Sequence, residues 1–155
     1  MNKAFVKETD DERASNPLPD RPIPADPNLV TAEGLAHIEE MVAATQAQHT
    51  AARDAGDANE IARTERDLRY WMARRATAEV VKPAAARDRV DFGSTVTIRR
   101  HDGRTQMFRI VGTDEADPTK GTLSYISPLA KALKGRGEGD TIKVGSGDAQ
   151  IVKIG

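Results

Sequence analysis

Two stretches of the chain carry apolar residues at helical spacing, one on each side of Gly56. The first follows Thr31, whose hydroxyl can cap a helix, and Glu33 then lies in the first turn, where the helix dipole favours negative charge. The two stripes are Leu35, Ile38, Val42, Thr45, His49, Ala52 and Ile61, Thr64, Leu68, Trp71, Arg75, Ala78. Spacings of three and four predict two helices, and the short connection at Gly56 makes them antiparallel.

The facing residues of this hairpin can be predicted by folding the chain about Gly56. The expected pairs are Val42 with Trp71, Thr45 with Leu68, His49 with Thr64 and Ala52 with Ile61. Large apolar side chains therefore cluster at the base, and the seam is thin toward the turn. At ~23 residues per helix and ~1.5 Å rise per residue, the arm should be about 35 Å long.

From Val90 onward the pattern changes to the period of strands. Asp102-Gly103 is a strong hairpin signal between two β-type runs, and Ser127-Pro128 is a typical start of a short helix. The predicted strands are Val96–Ile98, Met107–Val111, Leu123–Ile126, Thr141–Val144 and Gln150–Ile154, with a helix at Pro128–Leu133. The expected fold class is α+β: an N-terminal antiparallel helical hairpin, then an antiparallel sheet with one short helix.

Four segments are predicted along the 155 residues. Residues 1–29 hold five of the eight prolines and should form a disordered or polyproline-like acidic tail, because proline excludes helices and buried strands. Alternatively this tail lies against a partner with Phe5 as an anchor. Residues 30–82 form the hairpin, residues 83–89 a linker, and residues 90–155 the sheet domain.

Composition narrows the function classes. The absence of cysteine excludes disulfides, thiol catalysis and Cys-based zinc sites. No apolar run approaches the ~18 residues that a membrane span needs, and the N-terminus lacks the apolar core of a signal peptide, so a cytoplasmic protein is expected. The net charge of −1 divides into an acidic front half and a mildly basic back part, which permits contact with nucleic acid without requiring it.

The hairpin turn, Gly56-Asp57-Ala58-Asn59-Glu60, carries two carboxylates. Mg²⁺ commonly takes one or two carboxylates and keeps several waters, so Asp57 and Glu60 can help to hold this ion if a partner supplies the other ligands. The same spacing also fits a capping box, in which Asp57 accepts an amide bond and Glu60 reaches back. Asn59 can orient a water or bond locally.

Residues 31–155 resemble the Gre family of transcript-cleavage factors, which act on bacterial RNA polymerase. The resemblance lies in the tip, in Asp91–Val96, in Phe108–Asp117 and in Ile126–Leu133. It implies an FK506-binding-protein-like (FKBP-like) sheet domain that docks at the rim of the polymerase secondary channel. It also implies that the hairpin enters the channel, where the tip acids help to hold a metal ion that activates water to cut backtracked RNA.

Site residues follow from this resemblance. Asp57 and Glu60 would be catalytic within the polymerase active site, sharing Mg²⁺ with it, and the chain would be a monomeric cofactor rather than an enzyme, with no membrane partner. Contacts to polymerase or to the nascent RNA 3′ end are expected at Asn59, Arg63, Arg66, Asp114, Glu115, Ser127 and Pro128. For the arginines of the second helix, the alternative is a solvated face paired with nearby acids; these are Arg63, Arg66, Arg69, Arg74 and Arg75.

The hairpin is shorter than that of the family's cleavage factors by roughly two turns on each helix, or about 11 Å. The alternative function is therefore that of a Rnk-like or inhibitor-like regulator, which binds in the same channel without stimulating cleavage. A prolyl isomerase is a third reading by fold kinship. The domain's aromatic residues, Phe92, Phe108 and Tyr125, are too few for that pocket.

Overall fold

A computed structural model describes residues 17–83, 85 and 87–155. The chain forms two compact units. One contains the described residues up to Ala25 together with Ile38–Thr77, and the other contains Asp26–His37 with Ala78–Gly155. Phe5 and the rest of residues 1–16 lie outside the described residues, and so does the prediction of a disordered tail there.

The predicted helical hairpin is confirmed. Helix α1 spans Ala32–Ala55 and helix α2 spans Ala58–Thr77. The Thr31 hydroxyl caps α1 by accepting from the Gly34 amide at 3.0 Å. Gly56 closes the turn with a φ of 66°, a conformation that favours glycine. With 20 residues, α2 is about 30 Å long, somewhat shorter than expected.

The seam between the helices also follows the prediction. Val42 and Trp71 are buried near the base, where Tyr70 is buried beside them. Toward the turn the buried positions are small or polar, such as Ala52 and Thr64. The His49 Nδ1 lies 3.0 Å from the Thr64 hydroxyl oxygen, which confirms that these two residues face each other.

One part of the helix assignment is wrong. Arg74, predicted only on the solvated face, is 2% exposed, whereas Arg75, which the helical spacing places in the seam, is exposed. The buried face of α2 runs through Thr64, Trp71 and Arg74, so its last step is three residues instead of four. A change of one residue rotates a side chain by about 100° around a helix, enough to exchange the two arginines.

The chain on either side of the hairpin is more ordered than predicted. Strand β1 (Leu29–Val30) pairs in parallel with strand β2 (Glu79–Val80). The Glu79 amide donates to the Asn28 carbonyl at 2.8 Å, and the Val81 amide donates to the Val30 carbonyl at 2.9 Å. Two-residue strands show no period in the sequence, so this ribbon was not predicted. Between Pro17 and Ala25 the chain forms neither helix nor strand, as the prolines predict, and it contacts α2, which the sequence did not indicate.

The second unit contains a five-stranded sheet in the order β5-β4-β3-β7-β6. The predicted hairpins are present, but the sheet is mixed instead of antiparallel, because β4 and β5 pair in parallel with Arg109 opposite Thr122. A 3-10 turn at Pro118–Lys120, ended by Gly121 at a φ of 78°, brings the chain back in that direction. The strands are β3 (Thr95–Arg100), β4 (Thr105–Val111), β5 (Thr122–Ser124), β6 (Thr141–Val144) and β7 (Gly147–Ile154).

Helix α3 (Pro128–Leu133) supplies the other part of this core. Its Ser127 cap is confirmed, since the Ser127 hydroxyl accepts from the Ala130 amide at 3.3 Å. Buried side chains from the strands, together with Val90 from the chain before β3, pack with the buried side of α3: Val90, Val96, Ile98, Ile110, Ala130, Leu133, Ile142, Ala149, Ile151 and Ile154. The α+β class is confirmed. Within residues 17–83, 85 and 87–155, no helix is both long and apolar enough to cross a membrane.

Candidate functional site

The tip of the hairpin holds Asp57 as the cap of α2. Its carboxylate accepts from the Glu60 amide at 3.2 Å, which confirms the first half of the capping box. The Asp57 amide donates to the Ala52 carbonyl at 3.1 Å, closing the turn from the other side. Asp57, Asn59 and Glu60 are all exposed. The turn is therefore fixed by its backbone while its side chains face solvent.

Glu60 does not complete the capping box, because its carboxylate bonds forward to Arg63. The Arg63 guanidinium reaches Glu60 at 2.7 Å through one terminal nitrogen and at 3.0 Å through Nε. The pairing with Arg63 lowers the pKa of Glu60 below its ordinary value of 4.5. Glu60 is therefore an anion at neutral pH.

The two carboxylates at the tip are enough to hold a metal ion only if another molecule supplies further ligands. Asp57 and Glu60 line one shallow groove with Gln48 and Ala55, so the two carboxylates border the same space. Among the residues that the structure describes, no three His, Asp or Glu side chains are grouped as a metal site. Two carboxylates match the number that Mg²⁺ takes from one protein chain, and the remaining ligands would have to come from elsewhere.

Three arginines of α2, namely Arg63, Arg66 and Arg69, are paired with acids, which matches the solvated-face alternative for them. Arg63 and Arg66 both bond to Asp67, at 3.2 Å and 3.1 Å. Arg69 bonds instead to Asp20, at 2.6 Å, outside the hairpin. Surface pairs of this kind contribute little to stability and exchange readily, so they leave contact with RNA open. The roles of Arg63 and Arg66 in RNA contact stay predictions.

Glu115 has a structural role that the sequence did not indicate. Its carboxylate accepts from the Thr31 amide at 3.0 Å, from the Thr31 hydroxyl and from the Gly112 amide at 3.2 Å. A Cβ on Gly34 would overlap this carboxylate, so a larger residue there would displace the Glu115 side chain. Glu115 thus ties the first turn of α1 to the loop after β4. Contact with a partner stays a prediction for Glu115, and its carboxylate is already engaged.

The other residues predicted to contact polymerase lie in the same unit. Asp114 is half-buried, Ser127 caps α3, and Pro128 is exposed at its first position. The nearby Asp117 caps the 3-10 turn through the Thr119 amide at 3.0 Å. Its bonds to Thr119 lower the pKa of Asp117. The tip residues belong to one unit, and the residues predicted to contact polymerase outside the hairpin belong to the other.

An apolar groove in the second unit was not predicted. Phe92 and Tyr125 pack edge to face with their ring centroids 5.5 Å apart, and both line a groove of about 290 Å³. Ile110 lies at its wall, and Lys131 and Lys134 from α3 and its end add positive charge. The signal was present in the sequence, since these rings are two of the domain's three aromatic residues. Their proximity depends on the sheet and not on local spacing.

Comparison with known proteins bears on both units. The family model "Transcription elongation factor, GreA/GreB, C-term" matches residues 84–154. Transcription elongation factor GreA of Brucella anthropi is 40% identical over 113 residues, which cover 70% of this chain and 69% of that protein. The chain belongs to the GreA/GreB family of transcription elongation factors. This assignment confirms the resemblance found in the sequence.

Other Gre relatives match a shorter part. Transcription elongation factor GreA of Desulfovibrio desulfuricans is 40% identical over 82 residues, covering 52% of this chain and 51% of that protein. Transcription elongation factor GreB of Neisseria meningitidis serogroup B is 44% identical over 80 residues, covering 50% and 49%. This Gre-family chain thus spans about half the length of these two curated relatives.

Among solved structures, GreA factor homolog 1 (Gfh1) of Thermus thermophilus aligns with a TM-score of 0.42 at 18% identity, covering 84% of this chain and 99% of that one. GreA/GreB from Nitrosomonas europaea aligns with a TM-score of 0.41 at 21% identity, covering 81% and 97%. The family assignment rests on the sequence matches.

Proposed function

We propose that this Gre-family chain binds bacterial RNA polymerase, inserts its hairpin into the secondary channel and stimulates cleavage of backtracked RNA. The observation that carries the proposal is the tip: a capped turn that presents two exposed carboxylates at the end of a helical hairpin. Membership of the GreA/GreB family supports the choice of partner. The chain would act as a cofactor of the polymerase and not as an enzyme alone.

The chemistry would be divided between tip and polymerase. Asp57 and Glu60 would hold Mg²⁺ jointly with polymerase groups, and the ion would supply charge stabilisation for an in-line displacement at phosphorus. Asp57 stays fixed by its bond to the Glu60 amide. Glu60 would turn away from Arg63, an exposed partner that is easily exchanged. Arg63 would then be available to an RNA phosphate, and Asn59 to a water.

The test uses a stalled, backtracked elongation complex with Mg²⁺, in which released 3′ fragments are followed on a gel. The intact chain should release fragments faster than polymerase alone. Asp57→Asn and Glu60→Gln should return the rate to that of polymerase alone, whereas the control Glu65→Gln, on the exposed side of α2, should not. Cleavage that is absent, or unaffected by both tip variants, would overturn the proposal.

A second candidate function is occupation of the channel without cleavage. The short arm favours it, since α2 has 20 residues and a difference of two turns is about 11 Å of reach. Under this alternative, saturating protein slows elongation and releases no additional fragments. Elongation that proceeds unchanged at saturation would argue against this alternative.

A further inference from the structure

The segment before the hairpin, residues 17–25, is held along α2 by side chains; we call it the strap. Prolines at 17, 19, 22 and 24 remove backbone donors, so the strap cannot pair as a strand. Instead, the guanidinium of Arg69 donates hydrogen bonds to two oxygen atoms of the strap. Its Nε lies 2.6 Å from the Asp20 carboxylate, and a terminal nitrogen donates to the Leu18 carbonyl at 3.1 Å.

Arg21 of the strap covers the next residue of α2. Its guanidinium carbon lies 3.9 Å from the centroid of the Tyr70 ring and 5.6 Å from that of Trp71. It also approaches the Asp67 carboxylate at 3.6 Å. A planar cation thus lies over an aromatic ring, directly beside a guanidinium that holds two oxygens.

These contacts lie at the surface. The side chains of Asp20, Arg69 and Arg21 are 76%, 44% and 36% exposed. Ion pairs this exposed contribute little, and salt screens them. A competitor with the same groups and more charge would therefore displace the strap at modest cost.

The chemical groups that the strap places on Arg69 and Tyr70 are those that one class of competing ligand also offers. Two oxygens on one guanidinium reproduce the way in which arginine holds a phosphate. A flat group over a tyrosine ring reproduces the way in which a base stacks on an aromatic side chain. An acidic protein surface would use Arg69 but would have no need for the ring of Tyr70.

We propose that the edge of α2 formed by Arg69 and Tyr70 is a binding site for single-stranded polynucleotide, and that the strap occupies this site until the polynucleotide displaces it. Asp20 stands in the place of a phosphate, and Arg21 in the place of a base. This inference goes beyond the proposed cleavage function, because it concerns residues about 18 Å along the helix from Asp57. It would survive a failure of that function.

The test measures the affinity of the full chain for a fluorescently labelled single-stranded RNA, without polymerase, by anisotropy. Asp20→Asn, an isosteric change at an exposed residue, should tighten binding by about two- to fivefold, the range expected for loss of an exposed ion pair. A chain whose strap is replaced by Gly and Ser at equal length should bind at least as tightly. Adding Arg69→Met to either variant should remove the gain in RNA affinity. Adding the control Arg75→Met, also exposed on α2, should leave that gain unchanged.

Three outcomes would overturn the inference: equal affinity of the intact chain and both strap variants, a gain that persists after Arg69→Met, or equal competition by polyglutamate at matched charge. The last result would indicate a general acidic partner. Circular dichroism of each variant establishes that it is folded. In the intact chain, saturating RNA should change the fluorescence of Trp71, the protein's one tryptophan, since Arg21 leaves its vicinity.

Discussion

Asp57 has a structural role in the hairpin turn and, under the proposed function, a chemical role as well. Its carboxylate caps α2 and also carries one of the two charges at the tip. Asp57→Ala should lower the free energy of unfolding by about 1 kcal/mol, measured by urea denaturation, because the cap is lost. Asp57→Ser should keep most of this stability, since serine also caps. If both variants lose cleavage but only Asp57→Ala loses stability, the two roles are separate; equal stability of all three proteins would contradict the cap.

Glu60 gives a prediction about pH. Arg63 lowers the pKa of Glu60, so the pairing contributes stability above the ordinary pKa of 4.5, and this stability is lost as pH falls through the lower, folded value. An NMR titration of the Glu60 carboxyl should show a midpoint below 4.5. Arg63→Met should raise this midpoint, whereas Arg75→Met should leave it unchanged. A midpoint that does not respond to Arg63→Met would rule out this cause.

At the residue scale, the sequence predicted what local spacing determines. The caps at Thr31 and Ser127 and the left-handed turn at Gly56 depend on residues within four positions, and all three are confirmed. Glu115 could not be assigned in this way, because its partner Thr31 lies 84 positions away. The burial of Arg74 was missed for a related reason, since helical spacing alone does not fix which of two adjacent arginines faces inward.

At the scale of elements, the start of α1 depends on Glu115. Its carboxylate holds the amide of the buried Thr31, which has no intrahelical partner at this end of the helix. Glu115→Ala should lower the free energy of unfolding by about 2 kcal/mol in urea, because buried donors lose a charged acceptor. Asp148→Ala, at an exposed position of β7, is the control and should have little effect. If Glu115→Ala lowers the free energy of unfolding no more than the control does, water accepts the hydrogen bonds in place of the carboxylate.

The ribbon of β1 and β2 can be tested with a matched pair of prolines. Val81→Pro removes the amide that donates to the buried Val30, whereas Val80→Pro leaves in place the bonds that the Glu79 and Val81 amides donate. The first variant should be less stable than the second by about 1–2 kcal/mol in chemical denaturation, the cost of an unsatisfied buried carbonyl. Faster hydrogen exchange at the Glu79 amide should accompany it. Equal stability of the two variants would show that the ribbon contributes nothing.

The prediction of helices and strands succeeded where an element is long enough to repeat its period several times. Both long helices and the two hairpins of the sheet extend over enough residues to show their spacing. The parallel pairing of β5 and the ribbon of β1 with β2 depend on chain segments meeting across the fold, and three- and two-residue strands carry too few positions to show a period.

At the scale of the whole molecule, the length of the arm decides between the two candidate functions. Seven residues inserted into each helix at facing positions, after His49 and before Thr64, preserve the seam and extend the arm by about 10 Å. If the native arm already reaches the polymerase active site, the longer arm should cleave less in the fragment assay. A gain of cleavage in the extended chain would identify the native protein as a non-cleaving occupant of the channel.

The whole-molecule architecture followed from the sequence because a helical period and a strand period occupy separate halves of the chain. The carboxylates of the tip could be predicted for the same reason, since a turn between two helical stripes is recognisable from the sequence alone. The strap was not found, because a proline-rich segment shows no period and its contacts with Arg69 and Tyr70 join positions about 50 residues apart. The groove at Phe92 and Tyr125 was missed in the same way.

The parallel ribbon has a consequence for how such proteins diversify. Since Val30 and Val80 lie side by side, the chain leaves for the hairpin and returns from it at neighbouring points. In topological terms, the hairpin is an insertion between these two neighbouring points. Matched additions or deletions in both helices would alter its reach without changing the strand register of the sheet. A change in the reach of the hairpin would therefore require no redesign of the sheet that carries it.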